Sequence, residues 1–159
     1  MAVNPSAHRL YLSNYSTSQL SVIDTSALTQ IRTITLADNS GVISVNPTTG
    51  TVYATLYNTS SLLVLSKDLD QQIAKVTVGP NPWGIGVDAT RNRIYVANYN
   101  YSSGGAQTGT LMQVDGASNQ VVATVNVGKS PTGVSVDEAG NKIYVANGGD
   151  NSVSVLQGG

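Results

Sequence analysis

The sequence predicts an all-β repeat protein, and three observations predict it. A tyrosine recurs as Tyr11, Tyr53, Tyr95 and Tyr144, at spacings of 42, 42 and 49 residues. "NRIYVAN" at 92–98 returns as "NKIYVAN" at 141–147, with looser copies "HRLYLSN" at 8–14 and "GTVYATL" at 50–56. Short runs rich in Val, Ile, Thr and Tyr alternate with turn residues, and no window carries helical periodicity. A fixed period of about 40 residues marks a repeat architecture.

Each repeat resolves into four runs, here called a to d. Run a reads "GVISVN" at 41–46, "GIGVDA" at 84–89 and "GVSVDE" at 133–138, with "AVNP" at 2–5 as a clipped copy. Run b carries the tyrosine. Run c reads "QLSVID" at 19–24, "SLLVLS" at 61–66, "TLMQVD" at 110–115 and "SVSVLQ" at 152–157. Run d reads "IRTITL" at 31–36, "IAKVTV" at 73–78 and "VATVNV" at 122–127. Four antiparallel strands in about 40 residues form the blade of a β-propeller. The chain is thus one partial propeller over residues 1–159, with repeats near 1–36, 37–79, 80–128 and 129–159. Four a, four b, four c and three d strands make about 3.7 blades per chain.

The elements follow from their surroundings. Middle strands of a blade are covered on both faces, so they lose the polar alternation and read as "IYVA". Tyrosine adds a large apolar body with a hydroxyl that needs a partner. Asn98 and Asn147 then open the b–c hairpin, because asparagine tolerates left-handed geometry. Strand a, nearest the axis, uses small residues ("GIGV", "GVSV") where the blades converge. The seven extra residues of the third repeat fall in "YNYSSGGAQTG" at 99–109, a b–c loop.

These motifs resemble the YVTN β-propeller repeats. The shared pattern runs through "PWGIGVD", "IYVAN", "VVATVNVG", "PTGVSVD" and "NSVSVL"; the second repeat departs most, with Leu56 in place of the asparagine. The resemblance covers nearly the whole chain and implies the fold. Family members include cell-surface and surface-layer proteins, and relatives include lactonases, a streptogramin-type lyase and quinoprotein dehydrogenases. Function on a shared fold is decided by the site.

Composition narrows the function. Net charge is −1 with 11% charged residues, and the eight basic residues are scattered, so no patch exists to neutralise nucleic acid. No segment has the apolar length of a membrane span. Without cysteine there is neither a disulfide frame nor a thiolate metal site. Low charge with abundant Ser, Thr, Asn, Gly and Tyr fits an extracellular or cell-surface protein. Asn14, Asn58 and Asn100 head sequons, which a chain this rich in Asn and Ser produces by chance. No signal peptide precedes "AVNP", and the start reads as a cut inside a repeat.

Closed propellers have 4–8 blades as a rule, so the ring is expected to be completed by a second copy, as a homodimer, or by the remainder of a longer propeller. The apolar faces around Val3, Leu10, Val153 and Val155 would meet there.

Loops of the d–a and b–c kinds open on one face around the axis. Taking the residue before each strand-a glycine as equivalent groups Ser40, Trp83 and Thr132; Tyr99 and Tyr101 belong to the neighbouring insertion. These five residues are the expected ligand-binding set, for a carbohydrate, another apolar ligand or a protein. No catalytic residue, cofactor or metal is expected. His8 is the only histidine and has no Ser or Asp partner visible in the sequence. Asp88 and Asp137 align with Asn4 and Asn46, and Asp24 with Asp115, at turn starts where such side chains cap turns. The favoured reading is a non-enzymatic interaction module. The alternative is a lyase or lactonase-like enzyme acting at the channel mouth.

Overall fold

The computed structural model describes every residue except Ala37, Ser103 and Gly104, with the backbone alone for Ala106. It is all-β; among the described residues there is no helix, and none long and apolar enough to cross a membrane. The first sheet holds β1 (Ala2–Asn4), β2 (Arg9–Asn14), β3 (Gln19–Asp24) and β4 (Thr29–Thr35). The second holds β5 (Ser40–Val45), β6 (Val52–Leu56), β7 (Ser61–Leu65) and β8 (Gln72–Thr77). The third holds β9 (Pro82–Asp88), β10 (Arg93–Asn98), β13 (Thr108–Asp115) and β14 (Gln120–Lys129). The fourth holds β15 (Pro131–Asp137), β16 (Lys142–Asn147) and β17 (Ser152–Gln157). All neighbouring strands in the four sheets are antiparallel and follow chain order from a to d. The insertion adds its own two-stranded hairpin, β11 (Tyr101–Ser102) with β12 (Gly105–Ala106).

Register proves the repeat. Tyr11 pairs with Val22, Tyr53 with Val64, Tyr95 with Gln113 and Tyr144 with Val155, one position in four blades. The principal sheet-to-sheet contacts join first to second, second to third and third to fourth, and none of these joins fourth to first. Each junction has its own core. Tyr11, Leu20 and Val22 pack with Ile43, Leu63 and Leu65. Tyr53 and Val64 pack with Ile85, Ile94 and Val96. Tyr95 and Leu111 pack with Ile143 and Val145. Tyrosine exposure tracks this: 0% at Tyr11, 0% at Tyr53, 2% at Tyr95, then 37% at Tyr144, where no further blade lies above the sheet. Strands β6 and β7 of the twice-covered second blade are buried throughout, as two-sided burial requires.

The glycines of strand a set how closely blades approach. A Cβ on Gly86 would stand 2.7 Å from Val134 Cγ1 and 2.9 Å from Val136 Cγ2 of the next blade, and one on Gly84 2.7 Å from the Thr132 carbonyl oxygen. Any side chain there would push the third and fourth blades apart.

Two expectations need correction. Asn98 and Asn147 do not open their hairpins in left-handed geometry. They are buried at strand ends, where the Nδ2 of Asn98 donates to Thr110 Oγ1 at 3.0 Å and that of Asn147 to Ser154 Oγ at 2.9 Å. Gly79 and Gly128 lie against them: a Cβ there would come within 2.7 and 2.6 Å of the respective Cγ atoms. Left-handed backbone falls instead later in the b–c hairpins, on Ser18, Ser60, Asn100 and Asn151, and on the last residue of each a–b turn, His8, Gly50, Asn92 and Asn141. The second correction concerns register in strand a. Ser40 pairs with Leu56, Pro82 with Asn98 and Pro131 with Asn147, so Ser40 corresponds to the two prolines. The counterparts of Trp83 are therefore Gly41 and Thr132. Aligning on the glycine slipped the second repeat by one residue, and in a strand one residue reverses the face.

Candidate functional site

The d–a connections and b–c hairpins meet on one face, as expected, and are tied together by backbone bonds at one repeat position. Tyr57 N–H donates to Asn39 C=O at 3.2 Å, Tyr99 N–H to Asn81 C=O at 3.0 Å and Gly148 N–H to Ser130 C=O at 3.0 Å. Each bond fixes the residue that follows the end of strand b. In the second, third and fourth blades that residue is Tyr57, Tyr99 and Gly148; the first blade carries Tyr15 at the same position.

The three tyrosines converge on a cavity of about 440 Å³ lined by Tyr15, Tyr57, Trp83, Tyr99, Tyr101 and Thr132. All four blades contribute, so the cavity lies at the mouth of the arc. The Trp83 ring stands 6.0 Å from Tyr15, tilted by 50°, and 5.9 Å from Tyr57, at 90°. Tyr99 and Tyr101 are 6.1 Å apart and tilted by 40°. Gly41 lies beside the ring, where a Cβ would make only ordinary contact with Trp83 Cε3 at 3.6 Å but would crowd the Thr55 hydroxyl at 2.9 Å. Below, the buried Thr55 hydroxyl donates to the Trp83 carbonyl at 3.1 Å and holds strand a of the third blade against the second. Burial raises the Tyr57 phenol above its ordinary pKa, helped by the phenols of Tyr15, Tyr99 and Tyr101, so it is neutral at physiological pH.

Four of the five sequence-selected residues, Trp83, Tyr99, Tyr101 and Thr132, line this cavity. Ser40 does not. It is fully buried in β5, and its Oγ has no hydrogen-bond partner, because its slot points into the blade as those of the two prolines do. Tyr15 and Tyr57 were missed. Their signal lay in "NY" at 14–15, "LY" at 56–57 and "NY" at 98–99, a second tyrosine row read only where it met the insertion.

Charge is nearly absent from this face. Its loops hold Asp38, Asp150 and Lys129. Asp38 is buried: Oδ1 accepts from Asn39 N at 2.7 Å and Asn58 Nδ2 at 2.8 Å, and Oδ2 from Thr59 N at 2.8 Å. Burial pushes its pKa up, but the hydrogen bonds from Thr59, Asn58 and Asn39 prevail and leave it below the usual carboxylate value. Asp150 Oδ2 accepts from the Lys129 amide at 2.5 Å.

The opposite face, made of a–b and c–d turns, carries every ion pair found among the described residues. Arg9 bridges Asp24 at 3.0 Å and Asp68 of the next blade at 3.1 Å. Arg91 pairs with Asp88 at 3.0 Å, Arg93 with Asp115, and Lys67 with Asp68 at 3.7 Å. The acidic residues cap turns: Asp24 accepts from Ser26 and Ala27 amides, Asp88 from Arg91, Asp115 from Ala117 and Ser118, and Asp137 from Gly140. Glu138 reaches back to the Ala89 and Thr90 amides of the third blade. His8 sits in an a–b turn at φ 52°. Among the described residues no three His, Asp or Glu side chains gather to hold a metal ion.

Comparison with solved structures fits this architecture. Hydrazine synthase of Kuenenia stuttgartiensis superposes with a TM-score of 0.86 at 18% identity, over 98% of this chain and 44% of that one. A functionally unknown protein from Desulfotomaculum acetoxidans DSM 771 superposes at 0.79 and 13% identity, over 92% of this chain and 46% of that one. The likeness shows the fold. This chain spans less than half the length of either. No family model and no curated protein matches the sequence.

Proposed function

We propose that the chain is a non-enzymatic β-propeller interaction module, extracellular or at a cell surface, that presents the aromatic mouth to a ligand or protein. The mouth itself carries the reading: among the described residues, five aromatic rings and one threonine line the cavity, with no imidazole, carboxylate or amine. Open aromatic surface costs solubility and is kept where something binds. A lyase or hydrolase needs an acid–base pair or a metal at the reacting atoms. Every ion pair found among the described residues lies on the other face, where Asp24, Asp88, Asp115 and Asp137 also cap turns.

A complete ring needs further blades. Val153 is 60% exposed, Val155 58% and Val3 50%, although their inner-blade counterparts Leu62, Leu111, Val64 and Val45 are buried. Covering each such side chain is worth roughly 1.5–3 kcal/mol. What covers an inner blade is the next blade of the same repeat, so we place blades of a second copy there, closing a twofold ring. A continuation of the same polypeptide would meet the same surface.

Two experiments test this. Assays on lactones and cyclic esters should show no turnover; turnover abolished by chelation or by substitution at the mouth would establish an enzyme. Light scattering should give a mass near twice the 16.5 kDa of the chain; a stable monomer would eliminate the dimeric ring.

A further inference from the structure

We infer that the aromatic mouth is a cation–π cage for a quaternary or fully methylated ammonium group carried on a larger molecule. The inference rests on the mouth being a binding site, and it names the ligand class.

Shape is the first reason. A flat sugar or nucleobase stacks on a broad platform of roughly coplanar rings. Here Trp83 stands perpendicular to Tyr57 and tilted by 50° from Tyr15, and the three rings come from three blades. Tyr99 and its tilted neighbour Tyr101 add a further wall. Rings set around a cavity from several directions enclose a rounded group. The cavity, about 440 Å³, holds a trimethylammonium head together with part of its stem.

Charge is the second reason. Aromatic faces are the negative ends of ring quadrupoles, and Trp and Tyr are the rings that attract cations best. Among the described residues no basic side chain lines the mouth to oppose a cation or recruit an anion. Asp38 adds a negative field from the same rim. Its carboxylate has no ion-pair partner among the described residues, and it binds the two residues directly after Tyr57 in the b–c hairpin. The remaining rim charges, Lys129 and Asp150, are opposite in sign and belong to bonded segments, so they largely cancel.

Desolvation is the third reason, and it selects among cations. A primary ammonium holds water tightly and gives it up only for acceptors at hydrogen-bond distance. Among the described residues the lining offers phenols, an indole and one threonine hydroxyl, with no carboxylate to accept from three N–H groups. A quaternary ammonium has no N–H to satisfy and is weakly hydrated, so rings alone can replace its water.

Choline, tetramethylammonium and the neutral isostere 3,3-dimethylbutan-1-ol separate these ideas by isothermal titration. Trp83 is the only tryptophan, so its emission reports occupancy directly in the unmodified protein. Choline should saturate the site, quench Trp83 and bind at least tenfold more tightly than the isostere. Tyr57→Phe, which keeps the ring, should retain choline. Tyr57→Leu, which keeps apolar bulk but removes the quadrupole, should lose at least tenfold with an unchanged circular dichroism spectrum. Equal affinity for the isostere, choline binding that survives Tyr57→Leu, or no saturation by either cation at millimolar concentration would overturn the cage. A neutral ligand or an oligosaccharide that saturates the site and depends on Trp83 would also overturn it, while leaving the binding module intact. Turnover at the mouth would instead overturn the module.

Discussion

The two faces of the arc are built from the same repeat, yet they solve different problems. The face of a–b and c–d turns is charged and closed upon itself. Its carboxylates cap turns, its arginines bridge strands and blades, and its ion pairs are internally matched. The face of d–a and b–c loops carries three charges, and its aromatic rings meet solvent instead of a core. Tyr11 and Tyr15 show the contrast within four residues. Tyr11 is fully buried and its hydroxyl donates to the Lys67 carbonyl of the next blade at 2.8 Å, while Tyr15 is 42% exposed at the mouth. One tyrosine row holds blades together and the other offers itself outward. In a repeat protein, then, repetition alone does not separate scaffold from site. Exposure of the repeated residue does.

Asp38 is the sharpest challenge to that division, because it is the one buried structural carboxylate on the open face. Replacing it by alanine leaves three donors unpaired, and should cost about 3 kcal/mol, read from the denaturant midpoint. The same group fixes a pH dependence. Its folded pKa lies below the unfolded value of about 3.9. Its contribution is therefore complete above that value and vanishes as the pH falls through the folded one. The difference between wild type and Asp38→Asn should be largest at neutral pH and should narrow as the pH falls below the usual carboxylate range. Parallel stability curves over that range would show that Asp38 is not held as an ionised acceptor.

Arg9→Met probes the closed face. Arg9 and its two partners are partly exposed, and the methionine retains the apolar stem, so a loss of only about 1 kcal/mol is expected. The difference should shrink further in high salt. A loss as large as that at Asp38 would make the ion pairs, and not the apolar junctions, the main tie between the first and second blades.

The smallest effect on stability belongs to the residue expected to matter most for binding. Trp83→Thr copies Thr132 and should shift the unfolding free energy by less than about 0.5 kcal/mol, the range of surface substitutions. It should also abolish choline binding at the mouth. Unfolding of this variant would return Trp83 to the core and erase the contrast between the faces.

The blades were legible because burial on both faces writes itself into the sequence. "IYVA" twice in register places β10 and β16 before any coordinate is known. The mouth was legible only in part. Trp83 and Tyr101 stand out as unrepeated aromatics, whereas Tyr15 and Tyr57 hide in a repeat whose other tyrosines are structural. Ser40 was misplaced because strand a has a glycine at 41 in one repeat and at 84 in another, two different slots. Backbone pairing, invisible in composition, makes Ser40 equivalent to Pro82. Counting back from Asn46 and Asp88, which both cap the following turn, would have found the frame.

Three separate junction cores, each shared by adjacent blades only, also have a kinetic consequence. Opening of such an array proceeds from its ends. Amide protons of β6, β7 and β10, in the two blades covered on both sides, should exchange most slowly, and those of β17, at the edge of the fourth sheet, most quickly. Protection would then fall from the two inner blades to the first and fourth. Blades added over the terminal sheets, as in the proposed ring, would flatten that profile, so exchange in the free arc serves as a gauge of ring closure in solution.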